Sequence, residues 1–558
     1  MLAPGVTLQA VGQGLQWPLD TATTWRVLLS GSLLLAVAIM AALSDRTGEW
    51  RLQIRQRLLL GLPWGTLSVI GLLVVVYAVV QSGRTDWHSP VVLPFRAWSY
   101  HDPVAMALSG FAHSGPSHLT GNLLATAVYG TLAEYAWGHF PERRGEAAFG
   151  RPLANPVVRV LIFLMATLVV GLGLAVGSLG PTIGFSGVIF AYSGFALVRL
   201  PLVTVVGTVV AGTAGLVYRA ALSPTARSAA ESVVTTPWWA EIAIQGHALG
   251  LLVGLLVALT LDDGDGTLPG PGVLGGAVFL FATERGLWAV YGALGDGAYA
   301  LYRAAGVGAV ALIAAVVGAI GARGVVQLGE RPVAPGRVAR ALLVMLVLVT
   351  AAVGVPYNLA TVDDGPQLDR ANAFEVDDYR LYYAENVTDQ LVAAVDLPGV
   401  DTDVGTAGVI VTASDRQLWW TQITAAELAA DGQQRIQLGG VGSRETVQVT
   451  RSGWAILGNG SVYSVSFAAG GSPSQTAFLS EPRRVEAVID GRNLSVVPTR
   501  EGFDIQVHRD GVLLDRGPVP TGNSTATIGG VRFRRSGSEL VAERGRTRLL
   551  VAAARGPR

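Results

Sequence analysis

Ten apolar stretches between residues 27 and 356 constrain this chain more than any other feature. A helix that crosses a hydrocarbon core of ~30 Å needs about 20 apolar residues. The candidates are 27–43, 58–80, 118–137, 157–178, 185–200, 201–220, 238–261, 273–294, 299–321 and 339–356, with a tight turn at Pro201. With 51% hydrophobic and 14% charged residues, the chain is too apolar for an ordinary soluble protein. Arginines gather in the loops 44–57 (Arg46, Arg51, Arg55, Arg57), 138–156 (Arg143, Arg144, Arg151) and 322–338 (Arg323, Arg331, Arg337). If all ten stretches cross, these loops share one side, which the arginine bias makes cytoplasmic. Both termini are then expected outside.

From about residue 361 the pattern changes to alternating strands, as in Thr446-Val447-Gln448-Val449, residues 461–467 and residues 503–507. Asp490-Gly491 and Asp510-Gly511 suit hairpin turns, and a short helix is expected near Thr424–Ala430. This predicts an α-helical polytopic membrane domain followed by an all-β domain, built as one or two β-sandwich modules. Four glycosylation-type sequons, at Asn386, Asn459, Asn493 and Asn523, agree with an external location for residues 361–558. The chain has no cysteine, so a disulfide or a cysteine-based metal site is excluded. No His/Asp/Glu cluster has metal-ligand spacing, and no cofactor is expected. Expected partners are the lipid bilayer and membrane-protein substrates, with no nucleic acid.

Polar side chains inside the apolar stretches are the functional candidates, because such groups are costly in hydrocarbon. Ser186 opens one stretch within Gly184-Phe185-Ser186-Gly187. His247 lies in another, eight residues after Trp239, or about 12 Å along a helix. A third stretch opens with His113, His118 and Asn122, spaced H-x-x-x-x-H-x-x-x-N. A serine hydroxyl needs a base to become a nucleophile, and histidine suits that task. Asn122, His118 and the backbone N–H of Ser186 at a helix N-terminus could stabilise an oxyanion. Gly187, Ala191 and Gly194 on one helix, with Gly250 and Gly254 on the other, would let the two backbones approach. Phe190, one turn after Ser186, could hold the imidazole by stacking. Taken singly, each feature has a plainer reading: a membrane serine bonding its own backbone, a histidine in an interhelical bond, a G-x-x-x-G that only packs. Glu284-Arg285, inside the 273–294 stretch, reads as a structural pair, a substrate gate, or a sign that this helix is misplaced.

The set resembles the rhomboid family of intramembrane serine proteases over about residues 58–261. The resemblance rests on His113, His118 and Asn122, then Glu134, then G-x-S-G at 184–187, then H-x-x-G-x-x-x-G from His247 to Gly254. It implies a six-helix core in which Ser186 is the nucleophile and His247 the base. His118 and Asn122 would line the oxyanion hole, His113 would shape the site, and Glu134 would be a structural residue. Peptide bonds in or next to transmembrane segments would be cut near the outer face, after a small residue in a locally weakened helix. The alternative is an inert relative that binds transmembrane helices as a scaffold. There are departures: Phe95-Arg96 stands where many rhomboids have Trp-Arg, and Phe190 where tyrosine is common. The organisation expected is a 1–57 extension with one extra helix, the 58–261 core, further membrane helices in 262–360, and the β-rich 361–558 domain.

Overall fold

The computed structural model describes residues 47–141, 148–221, 243–261, 268–295, 298–322, 326–328, 331–362, 365, 367–368, 370–393, 405–458, 460–522 and 524–555. The 27–43 stretch, Trp238, Trp239 and the sequon residues Asn459 and Asn523 lie outside these. The helical part comprises α1 (Trp64–Val75, continued by a π turn over Val76–Val80), α2 (Pro116–Trp137), α3 (Pro156–Gly177), α4 (Ser186–Arg199) and α5 (Pro201–Ala221). It continues with α6 (Ile244–Thr260), α7 (Pro271–Glu284), α8 (Arg303–Ile320) and α9 (Pro335–Ala352), the last extended by Gly354–Leu359. Proline begins α2, α3, α5, α7 and α9, where its missing N–H costs no helical bond.

Among the described residues four helices are long and apolar enough to cross a membrane: Pro156–Gly177, Pro201–Tyr218, Arg303–Ile320 and Pro335–Leu359. Trp64–Val80, Ser186–Arg199, Ile244–Thr260 and Pro271–Glu284 are apolar but shorter. The outer helices expose aliphatic faces, such as Leu161, Met165, Val169 and Leu172 on α3 and Val203, Val206 and Val210 on α5. By contrast, every residue of α4 from Val188 to Val198 is buried. A helix that is apolar all round and enclosed on every side is the centre of its bundle.

One of the expected spans is corrected. The 273–294 stretch is helical only to Glu284, and a hairpin of Tyr291–Gly295 with Ala298–Leu301 follows before α8. Glu284 is therefore the last, exposed residue of α7, and Arg285 does not pair with it. Arg285 instead donates through Nη2 to the Tyr129 hydroxyl at 2.8 Å and to the Thr208 carbonyl at 3.1 Å.

From Phe374 onward the described chain is almost wholly antiparallel sheet. Phe374–Val376, Tyr379–Thr388, Gly405–Ala413 and Leu418–Thr424 form a four-stranded meander. Gln433–Gly440, Ser443–Ile456, Ser461–Ala469 and Gln475–Leu479 make a second sheet, joined along Ser443–Ile456 by the C-terminal strand Thr547–Arg555. Arg483–Ile489 to Val512–Pro518 form a third. Two apolar cores result, one around Val409, Val447 and Phe467, the other around Val485, Ile505 and Phe533. Asp490-Gly491 and Asp510-Gly511 sit at hairpin turns with positive φ at both positions, as their residue types require. Thr424 caps the short helix Ala425–Asp431 in a capping box with Glu427.

The β part packs on the loop between α1 and α2. Leu93 and Trp98 of that loop belong to its first core, with the Trp98 and Trp420 rings 5.1 Å apart. Arg96 lies over Trp420 at 5.5 Å, and its burial there lowers its pKa from the usual arginine value. Gly442, at a hairpin tip, donates its N–H to the Val80 carbonyl at 2.9 Å. The β part and this loop thus share one face of the helical part.

Candidate active site

Ser186 and His247 meet where α4 and α6 begin, at the face that carries the β part. Ser186 Oγ and His247 Nε2 are 2.6 Å apart. This proximity depends on backbone contact between the two helices. A Cβ on Gly250 would collide with the Gly187 carbonyl oxygen, and one on Gly254 with that of Ala191. A Cβ on Gly194 would in turn strike the Leu251 carbonyl. Small residues are obligatory along this seam.

Apart from its contact with Ser186, the imidazole is held by stacking on one face. Phe190 stacks on His247 with ring centroids 4.5 Å apart and planes 7° from parallel. His247 Nδ1 is buried and has no hydrogen-bond partner among the described residues. Among the described residues no carboxylate orients the ring as in a soluble triad.

The other motif residues lie against the turn that precedes Ser186. Gly184 has φ of +119°, which favours glycine, and a Cβ there would sit 2.7 Å from His118 Nε2 and 3.6 Å from Asn122 Nδ2. Asn122 is buried, and its Nδ2 has no partner among the described residues. The Ser114 hydroxyl is 3.0 Å from His118 Nδ1. With that nitrogen accepting, Nε2 carries the proton and faces Gly184 as a donor. The first N–H groups of α4, at Ser186 and Gly187, have no intrahelical acceptor. Asn122, His118 and this helix terminus therefore offer unspent donors around one point. Ser109, Gly110, Gly171, Leu174, Ser178 and Thr182 line a small cleft beside them.

His113 is fully buried, with its ring 5.2 Å from that of His118. Its N–H and carbonyl are both held by Gln81, at 2.8 Å each, which anchors this part of the loop to the end of α1. Glu134 is not at the site, lying twelve residues beyond Asn122, about 18 Å along α2. Its buried carboxylate accepts the Gly65 and Thr66 N–H groups and the Thr66 hydroxyl, each at 2.7 Å, and so caps α1. His139 completes this cluster at 2.8 Å from Glu134.

Two supporting amides were missed in the sequence. Gln245 donates to the Gly177 and Thr350 carbonyls, at 2.9 and 2.6 Å, and accepts the Leu179 N–H at 3.0 Å. Asn358 donates to the Ser178 carbonyl at 2.8 Å and accepts the Gly180 N–H at 3.3 Å. Together they tie the segment leading to Ser186 to α6 and α9. A lone amide in or just after an apolar helix was the available signal. Among the described residues no group of three or more potential ligands could hold a metal ion. Compared with protein-family models, curated proteins and solved structures, the chain matches none.

Proposed function

We propose that the protein is an intramembrane serine protease with a rhomboid-like six-helix core, α1 to α6, cutting peptide bonds in or next to transmembrane segments. The observation that carries this reading is the 2.6 Å contact of Ser186 Oγ with His247 Nε2 on two buried, touching helices. In the proposed reaction, Ser186 Oγ attacks the scissile carbonyl carbon and passes its proton to His247 Nε2. Asn122 Nδ2, His118 Nε2 and the Ser186 N–H bond to the oxygen that becomes negative. The C–N bond then breaks, the leaving amine takes the proton from Nε2, and water releases the acyl group by the same steps in reverse. Neither metal nor nucleotide is part of this scheme. A fluorophosphonate probe tests it: wild-type protein should be labelled and Ser186→Ala should not. An unlabelled wild type that still binds transmembrane helices would support an inert scaffold instead.

The oxyanion donors give a graded expectation. Asn122→Ala and His118→Ala should each lower turnover by about 10-fold or more, since losing one such donor often costs kilocalories. Unchanged turnover in both would reduce these residues to packing groups.

We read the β part as β-sandwich modules on the extracytoplasmic side. Its position on the face of the α1–α2 loop, away from Arg55, Arg57 and Arg151, supports this under the arginine bias. A cysteine introduced at the exposed Ser472, in a chain that has none, should react with a membrane-impermeant maleimide on intact cells. Reaction only after lysis would put the domain in the cytoplasm.

A further inference from the structure

Phe281 lies on α7, outside the segment proposed as the protease core, yet its ring reaches the residue that holds the base. Its centroid is 5.6 Å from that of Phe190, at 73°, and Phe190 in turn stacks on His247. On its other side Phe281 meets Tyr129 of α2 edge-on, at 5.8 Å and 90°. Tyr129 is itself held by Arg285, whose guanidinium lies 5.6 Å from the ring and donates to the hydroxyl. Both Phe281 and Tyr129 are fully buried. Resting on the protease reading, we propose that Phe281 is a positioning residue for the catalytic base, and that α7 is thereby a working part of the site.

The argument turns on what fixes the imidazole. With His247 Nδ1 unbonded among the described residues, rotation of the ring about its Cβ–Cγ bond is limited by the Ser186 contact and by Phe190. The Ser186 contact is the one that changes during reaction, as the proton moves to Nε2 and then away. Phe190 is left to keep the plane of the imidazole constant through the cycle. Its own ring would turn if its edge faced a void, and Phe281 fills that space. Edge-to-face aromatic pairs have a preferred geometry that an aliphatic side chain of similar volume lacks. Arg285 holds α7 in place by binding α2 and α5 at the same level, through Tyr129 and Thr208. The backbones of α7 and α8 also touch near Gly275 and Ala314. The pair Glu284-Arg285 thus acquires a role for its arginine that does not involve the glutamate.

The test is the pseudo-first-order rate of Ser186 phosphonylation by a fluorophosphonate, measured on full-length protein in detergent. It is followed to completion, so that the amplitude counts competent molecules and the rate constant reports the base in each. Phe281→Leu keeps most of the volume and should lower the rate constant about 5-fold, and Phe281→Ala about 30-fold. These estimates follow from the steep dependence of rate on small misplacements. The kcat for a transmembrane substrate should fall in parallel, with KM within about 2-fold. Phe281→Tyr, which retains the ring, should restore a rate constant closer to wild type than Phe281→Leu does. If both Leu and Ala variants lose amplitude or thermal stability while the rate constant stays at wild type, Phe281 is packing only and the proposal is overturned. Should Phe281→Ala not fold, the Leu and Tyr pair still decides. A wild type that is not labelled at Ser186 would instead sink the protease reading beneath it.

Discussion

Alanine at Ser186 or at His247 is expected to lower cleavage of a model transmembrane substrate by roughly 1,000-fold or more, with the protein still inserted and folded. The two side chains share one hydrogen bond and act in one step, so the double variant should be no slower than either single one. Folding should survive because neither group is buried without a replacement: the serine is at a helix start, and the histidine leaves a space beside Phe190. Turnover by purified protein in proteoliposomes, with mass-spectrometric detection of the new termini, checks this. Substantial cleavage by either variant would refute the mechanism.

The second large effect is expected at the α4–α6 seam. Gly254→Val would place a branched side chain on the Ala191 carbonyl, where even a Cβ has no room. Overpacking of this kind typically costs about 1–3 kcal/mol, and here backbone blocks backbone, so the helices must part. A shift of the order of 1 Å between Ser186 and His247 should reduce the labelling rate about 100-fold. Gly250→Val should behave alike, since the Gly187 carbonyl stands in the same way. A conservative change on the exposed face of α3, such as Met165→Leu, should alter neither rate nor melting temperature. Wild-type labelling by Gly254→Val would show that the seam opens without consequence for the pair.

Much of this architecture was legible in the sequence because it follows from short-range pattern. Alternation over 446–449, 461–467 and 503–507 became strands with Val447, Val449, Val465 and Ile505 inward. The small residues at 187, 191, 194, 250 and 254 indicated which two helices would touch, and thereby brought Ser186 to His247. What the pattern left out depends on contacts between distant residues. Apolar content alone did not separate the helix ending at Glu284 from the hairpin that follows, since Tyr291, Ala293 and Leu301 suit lipid in either form. Phe281 looks like any other core phenylalanine until Phe190 and Tyr129 are seen on either side of it. His139 carries no local mark of its place beside Glu134, because only the folded turn brings the two together. The packing of Trp98 against Trp420 spans more than three hundred residues and leaves no local trace.

That last contact bears on how the chain can be divided. The change of composition near residue 361 invites a cut there, as though a helical enzyme carried a detachable appendage. Such a cut would leave Leu93 and Trp98 bare to water and would strip the acceptor at Val80 of its donor from Gly442. It would also fall just beyond Asn358, whose amide holds the turn before Ser186. In terms of inheritance and of engineering, the two halves are therefore one unit. A shortened gene would encode a helical protein with an unsupported first loop, and a graft of the β part onto another helical bundle would arrive without the surface it closes.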